Sequence, residues 1–325
     1  MSKTALLFAG QGAQAVGMGQ DLAAAFPSAR GWFDRANAAL SYDLASICFN
    51  GPEAELTKTE NAQPGIFLVS WVAFQLLKER VGVQASACFA ADTLKRELQL
   101  KFDATAGLSL GEFTALTAAG AMSFEDGLRV VRQRGRFMQE ACEATRGGMA
   151  AVIGLDEAPT REVCAEAGVV LANLNCPGQL VISGETDKIT KAVELAKAKG
   201  AKRAIALPVA GAYHSPLMAG AQPKLQAELA KIKISPPAVP VISNVTGQPY
   251  GNAADISARL IEQVTSSVFW EKSMRHLLAQ GFTRFIELGP GTALSGFMKR
   301  IDKGAQMLNV ADVGSLEATV KALVP

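Results

Sequence analysis

The chain opens on an apolar run, residues 4–9, that stops at Gly10-Gln11-Gly12-Ala13-Gln14, the pattern of a buried first strand entering a polar turn. Helical patterning follows at 19–25 and 29–40. After Gly51-Pro52 a longer helix is expected from Gln63 or Pro64 to Arg80, with proline in its first turn, where a missing N–H costs nothing. The segment 81–101 has no clear period, and 93–101 fits a short surface helix whose charges face solvent. Residues 102–106 form a short apolar strand and 112–119 a helix. Ser123-Phe124-Glu125-Asp126 resembles a capping box that opens another helix reaching about residue 144.

From Gly147 the texture changes. A strand at 149–154, a helix at 157–167, strands at 169–173 and 179–184, a helix at 186–199 and a strand at 203–207 follow in the order β-α-β-β-α-β, the ferredoxin-like pattern. Longer α/β alternation then resumes: a strand at 239–242, helices at 256–264 and 268–280, a strand at 284–287, a helix at 291–301 and a strand at 306–310. The expected organisation is a large α/β domain over 1–146 and 209–325, interrupted by a small ferredoxin-like subdomain over 147–208.

Composition narrows the function classes. With 325 residues, 49% hydrophobic and 19% charged, the chain has ample core for one large domain with an insert. A net charge of +2 gives no general attraction for nucleic acid. Cys48, Cys88, Cys142, Cys164 and Cys176 are odd in number and lack Cys-x-x-Cys or metal-ligand spacing, as in a reduced cytoplasmic protein. The first apolar run is shorter than a signal-peptide core, and the longest largely apolar segment, 66–77, is too short to cross a bilayer.

The chemistry gathers at Gly107-Leu108-Ser109-Leu110-Gly111, the one Gly-x-Ser-x-Gly in the chain. Between a strand and a helix this pattern fits a nucleophile elbow, whose flanking glycines allow a turn too sharp for a Cβ and leave the serine exposed at its apex. A serine hydroxyl needs a base. Of two histidines, His276 sits on an amphipathic helix as a boundary residue. His214 precedes Ser215-Pro216, a cap and first helical position, where a helix dipole favours the neutral ring. On the helix after Ser123, Arg129, Arg132 and Arg136 recur with Glu140 on a solvated face. Arg134 has Val130, Val131, Phe137 and Met138 as neighbours and points toward the apolar side. A buried guanidinium needs an anion, either a protein carboxylate or a ligand.

Together these pieces resemble the malonyl-CoA:acyl-carrier-protein transacylases and the related acyltransferase domains of polyketide synthases. The match runs through Gly10-Gln11-Gly12-Ala13-Gln14, Gln63-Pro64, Gly107-x-Ser109-Leu110-Gly111-Glu112, Arg134-Gly135-x-x-Met138-Gln139 and Gly148-Met149-Ala150-Ala151. It continues through Asn175-Cys176-Pro177-Gly178-Gln179, His214-Ser215-Pro216-Leu217-Met218, Ser243-Asn244-Val245 and Glu287-Leu288-Gly289-Pro290-Gly291. The resemblance implies a hydrolase-like α/β core with a parallel sheet and a ferredoxin-like insert. It implies Ser109 as nucleophile, His214 as base and then acid, the backbone N–H groups of Gln11 and Leu110 as oxyanion hole, and Arg134 as clamp for the malonyl carboxylate.

It implies malonyl-CoA as donor and the thiol of a holo acyl carrier protein as acceptor, with no metal or redox cofactor. It also implies that a backbone carbonyl near Ser267-Val268-Phe269-Trp270 orients the histidine. Gln63, Asn175 and Asn244 are candidates for the site's lining. Lys272, Arg275, Lys299 and Arg300 are candidates for carrier contact or an ordinary solvated face. Neither nucleic acid nor membrane is an expected partner, and the oligomeric state is open, with a monomer the simplest expectation.

Three departures bear on substrate. Leu108 stands where the family usually has histidine, making one wall apolar. Phe269 stands where glutamine or arginine is common. Tyr213, before His214, differs from the usual patterns, and its bulk disfavours an α-branched acyl group. The rival readings are an acyltransferase or editing hydrolase for another acyl unit, and a non-catalytic carrier-protein-binding subunit.

Overall fold

The computed structural model describes residues 2–88 and 100–324, so the surface helix expected at 93–101 falls almost wholly outside them. Nine strands follow in order: β1 (Lys3–Phe8), β2 (Ala104–Gly107), β3 (Gly147–Ile153), β4 (Val170–Cys176), β5 (Gln179–Glu185), β6 (Arg203–Ala206), β7 (Val241–Ile242), β8 (Phe282–Leu288) and β9 (Gln306–Val310). They form a five-stranded sheet, β7-β2-β1-β8-β9, with every pairing parallel, and a four-stranded antiparallel sheet, β4-β5-β3-β6.

The parallel sheet is covered on both faces, which is why β1 reads as an unbroken apolar run. Leu6 and Phe8 join one buried cluster and Ala5 and Leu7 another. On the first face lie helices Thr59–Cys88 and Phe124–Ala144, packed so closely that a Cβ on Gly135 would stand 2.5 Å from the Thr59 carbonyl oxygen. That approach sets Arg134 beside Gln63. The Phe124–Ala144 helix begins as its sequence predicts, with Ser123 Oγ accepting from the Asp126 N–H.

The Thr59–Cys88 helix corrects one expectation. It begins at Thr59, so Pro64 lies inside it and not in its first turn. The Asn61 and Ala62 N–H groups already bond to the Lys58 carbonyl, and Thr59, fully buried, anchors the start through its hydroxyl.

The antiparallel sheet has its own core, with Ala150, Val152, Leu171, Leu180 and Ile182 packed beneath helices Glu157–Ala167 and Thr186–Ala198. Its strand and helix order is β-α-β-β-α-β. The large domain meets its β4 edge at Val268, whose N–H bonds to the Ala172 carbonyl at 2.8 Å and whose carbonyl accepts from Leu174 at 2.9 Å. Helices Leu44–Asn50, Gln222–Leu229 and Val313–Leu323 are among the others of the large domain. Among the described residues no helix is long and apolar enough to cross a membrane.

Candidate active site

The chain turns between β2 and the helix Gly111–Ala118 with Ser109 at φ 54°, a left-handed conformation that costs a non-glycine residue on the order of 1–3 kcal/mol. Both flanking glycines are required by contact. A Cβ on Gly107 would lie 1.9 Å from the Gly111 carbonyl oxygen, and one on Gly111 would lie 2.3 Å from the Phe8 carbonyl oxygen. Asn244 spans the turn from behind. Its Oδ1 accepts from the Ser109 N–H at 2.6 Å and its Nδ2 donates to the Gly107 carbonyl at 2.7 Å. Buried Asn244 therefore braces the elbow and does not form a rim.

His214, also left-handed at φ 56°, places Nε2 2.8 Å from Ser109 Oγ. Ser215 caps the short 3-10 helix Pro216–Ala221, accepting from the Leu217 N–H at 3.3 Å. His214 Nδ1 lies 2.9 Å from the Gln263 carbonyl oxygen. With Nδ1–H donating there, Nε2 is left to accept the serine proton. The orienting carbonyl is thus that of Gln263, at the end of helix Ala254–Gln263 and a few residues before the segment 267–270 near which it was expected. Burial first, then the Arg134 charge, lowers the His214 pKa to about 4, while backbone bonds at Gln263 and Ser266 oppose the shift. Burial and the Arg134 charge both favour the neutral ring.

Arg134, 1% exposed, donates from Nη1 to Gln63 Oε1 at 2.6 Å and from Nη2 to Gln263 Oε1 at 2.9 Å and Ser109 Oγ at 3.0 Å. Its Nε has no partner among the described residues. Burial lowers its pKa to about 10, against the pull of Glu112. All its hydrogen-bonding partners are neutral, so the carboxylate partner expected from sequence is not supplied in contact by the described residues.

Polar groups continue from there. Gln63 Nε2 donates to Gln11 Oε1 at 3.3 Å, Gln11 Nε2 to Tyr213 Oη at 3.5 Å, and Tyr213 Oη shares a 2.6 Å bond with Thr59 Oγ1. Among the described residues the N–H groups of Gln11 and Leu110 have no protein acceptor. Leu108, half-buried, packs against the cluster containing Val268, Trp270 and Met298, and its Cδ2 would be 2.6 Å from a Cβ on Gly10.

Two candidates stand apart from this network. Phe269 packs against the core of the antiparallel sheet, and only its main-chain N–H reaches the site's framework, at the Asn244 carbonyl oxygen, 2.9 Å away. Asn175, buried on β4, has an Oδ1 without a partner. Of the basic residues, Arg275 pairs with Glu271 at 2.7 Å, while Arg300 donates to the Pro177 carbonyl at 2.8 Å and to Gln179 Oε1 at 2.9 Å.

Sequence reasoning missed Gln263 and the part played by Glu112. Gln263 bonds to Arg134, to the Ser109 carbonyl at 3.0 Å and, through its own carbonyl, to His214. A glutamine at the end of an amphipathic helix gives no local signal, and only the structure shows it fully buried.

Comparison with known proteins identifies the family. The acyl transferase domain family matches residues 5–322. The malonyl CoA-acyl carrier protein transacylase of Bacillus subtilis is 44% identical, with 99% of this chain and 98% of that protein covered. That of Escherichia coli strain K12 is 42% identical, with 93% of each covered. The solved structure of the transacylase from Coxiella burnetii superposes with a TM-score of 0.91 at 35% identity, covering 100% of this chain and 98% of that one. A malonyl-transacylase solved in complex with a type II polyketide synthase acyl carrier protein gives 0.89 at 34% identity, covering 99% and 100%. The chain belongs to the malonyl-CoA:acyl-carrier-protein transacylase family of acyl transferases.

Proposed function

We propose that the chain transfers the malonyl group of malonyl-CoA to the phosphopantetheine thiol of a holo acyl carrier protein through an ester on Ser109. The observation that carries this reading is Arg134, a buried guanidinium bonded only to neutral oxygens and 3.0 Å from the nucleophile. Such a charge favours an acyl group ending in a carboxylate, which can accept a bidentate pair.

In the first half-reaction His214 Nε2 takes the Ser109 proton as Oγ attacks the thioester carbon. The N–H groups of Gln11 and Leu110 serve the oxyanion. The imidazolium then returns the proton to the leaving coenzyme A sulfur. In the second half the carrier thiol gives its proton to His214 and attacks the ester, and Ser109 Oγ leaves with that proton. The Gln263 carbonyl stabilises the imidazolium in both halves, where a triad would use a carboxylate. These steps need no metal or redox group.

Mixing the protein with malonyl-, methylmalonyl- or acetyl-CoA, weighing it intact, and then adding holo carrier protein tests the reading. The expected result is a malonyl adduct that is absent in Ser109→Ala and passes to the carrier. Arg134→Ala is expected to lower malonyl transfer by about a hundredfold while acetyl transfer changes far less. No adduct from any donor, or equal loss for both donors in Arg134→Ala, would overturn it.

A further inference from the structure

Glu112 is a fully buried carboxylate in the first turn of the helix behind Ser109, and neither of its oxygens bonds to the nucleophile, to His214 or to Arg134. Oε2 accepts from Gln263 Nε2 at 2.5 Å. Oε1 accepts from Tyr250 Oη at 2.5 Å and from the Asn244 N–H at 3.2 Å. Two of these three donors belong to residues that hold the reacting groups: Asn244 braces the elbow, and Gln263 touches Arg134 and His214.

The Gln263 carboxamide fits this surrounding one way round. Its nitrogen faces two acceptors, Glu112 Oε2 and the Ser109 carbonyl, and its oxygen faces the Arg134 guanidinium. Turned over, it would set an NH₂ against a cation and an oxygen against two oxygens. Glu112 Oε2 and the Ser109 carbonyl both call for the amide nitrogen on this side, and Glu112 is the one of the two that a side-chain substitution can change. We propose that Glu112 is a positioning residue for acyl-group selection: it locks the Gln263 carboxamide with its oxygen toward Arg134, and so aims the guanidinium at the acyl carboxylate. The proposal rests on the malonyl reading above.

Replacing Glu112 by glutamine keeps the shape but leaves one acceptor oxygen where the carboxylate has two: turned toward Gln263 it deserts the Asn244 N–H and Tyr250, and turned toward them it sets an NH₂ against the Gln263 nitrogen. Malonyl- and acetyl-enzyme formation by the full-length protein, followed by intact mass and by transfer to holo carrier protein, reads the effect. Glu112→Gln is expected to lower kcat/KM for malonyl-CoA about tenfold and that for acetyl-CoA by less than about threefold. Gln263→Met, which keeps the main-chain carbonyl for His214, is expected to lower the same malonyl-to-acetyl ratio. The double variant should fall no further than either single one, since both remove one constraint.

Additive losses, or equal losses for the two donors, would overturn the assignment. If Glu112→Gln does not fold, Gln263→Met decides alone, and a wild-type ratio there refutes the proposal. Wild-type protein that takes no malonyl group would remove the malonyl reading and this one together. A normal adduct with unchanged ratios in the variants would remove this one only.

Discussion

The two sheets solve opposite problems. The antiparallel sheet β3–β6 has a largely aliphatic core, and its charged pairs, such as Lys199 with Glu162 at 2.8 Å, lie at the surface. At the C-terminal end of the parallel sheet, two residues sit in left-handed conformations, and a buried arginine, histidine and glutamate share a site. The strained and charged groups of the site are held by Asn244 and Gln263; elsewhere in the large domain lie left-handed Ser41 and buried Glu287, while the insert carries no left-handed non-glycine residue and no buried charge.

Glycines give the sharpest way to break this contrast. Gly107→Ala would drive a Cβ to 1.9 Å from the Gly111 carbonyl oxygen, and neither backbone can withdraw because Gly111 is itself wedged against Phe8. We expect a loss of about 4 kcal/mol or more by urea unfolding. Any folded fraction should transfer at least about a hundredfold more slowly, since the nucleophile is displaced. Wild-type transfer by this variant would show that the elbow's tight turn is not required.

The buried charges give the next effect, with slopes of opposite sign. His214, with its pKa lowered to about 4 from 6.5, refuses a proton that the unfolded chain accepts, so its contribution to stability falls as pH falls from 6.5 toward 4. Glu112, with its pKa raised by burial from 4.5 to about 7, keeps a proton that the unfolded chain releases, so its contribution falls as pH rises from 4.5 toward 7. Between pH 4.5 and 6.5 the two oppose each other. Urea unfolding across that window should be nearly flat for the wild type, should lose stability with rising pH in His214→Ala, and should gain it in Glu112→Gln. Each slope should approach about 1 kcal/mol per pH unit. Parallel profiles for the three proteins would mean that these groups do not titrate as a buried set. The antiparallel sheet, with no such group in its core, adds nothing to either slope.

The same division governs what the sequence discloses. Period and punctuation locate β5, β9 and helix Glu157–Ala167 to within a residue, because a repeating local pattern determines each. Ser109, His214 and Arg134 stand out because each breaks its local pattern. Gln263 and Asn244 break none: each is a polar residue whose side-chain bonds reach Ser109, Gly107 and Glu112, more than a hundred positions away, and the Gln263 carbonyl meets His214 49 positions away. Only the folded chain brings those contacts together, so the sequence locates the carbonyl that orients His214 only to the neighbourhood of 267–270 and the fold assigns it to Gln263. The start of helix Thr59–Cys88 was missed for a similar reason, since Pro64 signals a first turn while tertiary anchoring of Thr59 extends the helix before it.

The smallest expected effect makes the comparison a controlled one. Gly148 on β3 matches the family pattern as Gly107 does, yet a Cβ there would meet nothing nearer than Thr186 Oγ1 at 3.9 Å. Its backbone is ordinary strand, so alanine costs no conformational strain and reduces the freedom of the unfolded chain. Gly148→Ala should leave stability within about 0.5 kcal/mol by urea unfolding and malonyl transfer within about twofold. A large loss of transfer with an unchanged unfolding midpoint would mean that this open side of β3 faces the substrate, and that the antiparallel sheet contributes more than scaffold to the site.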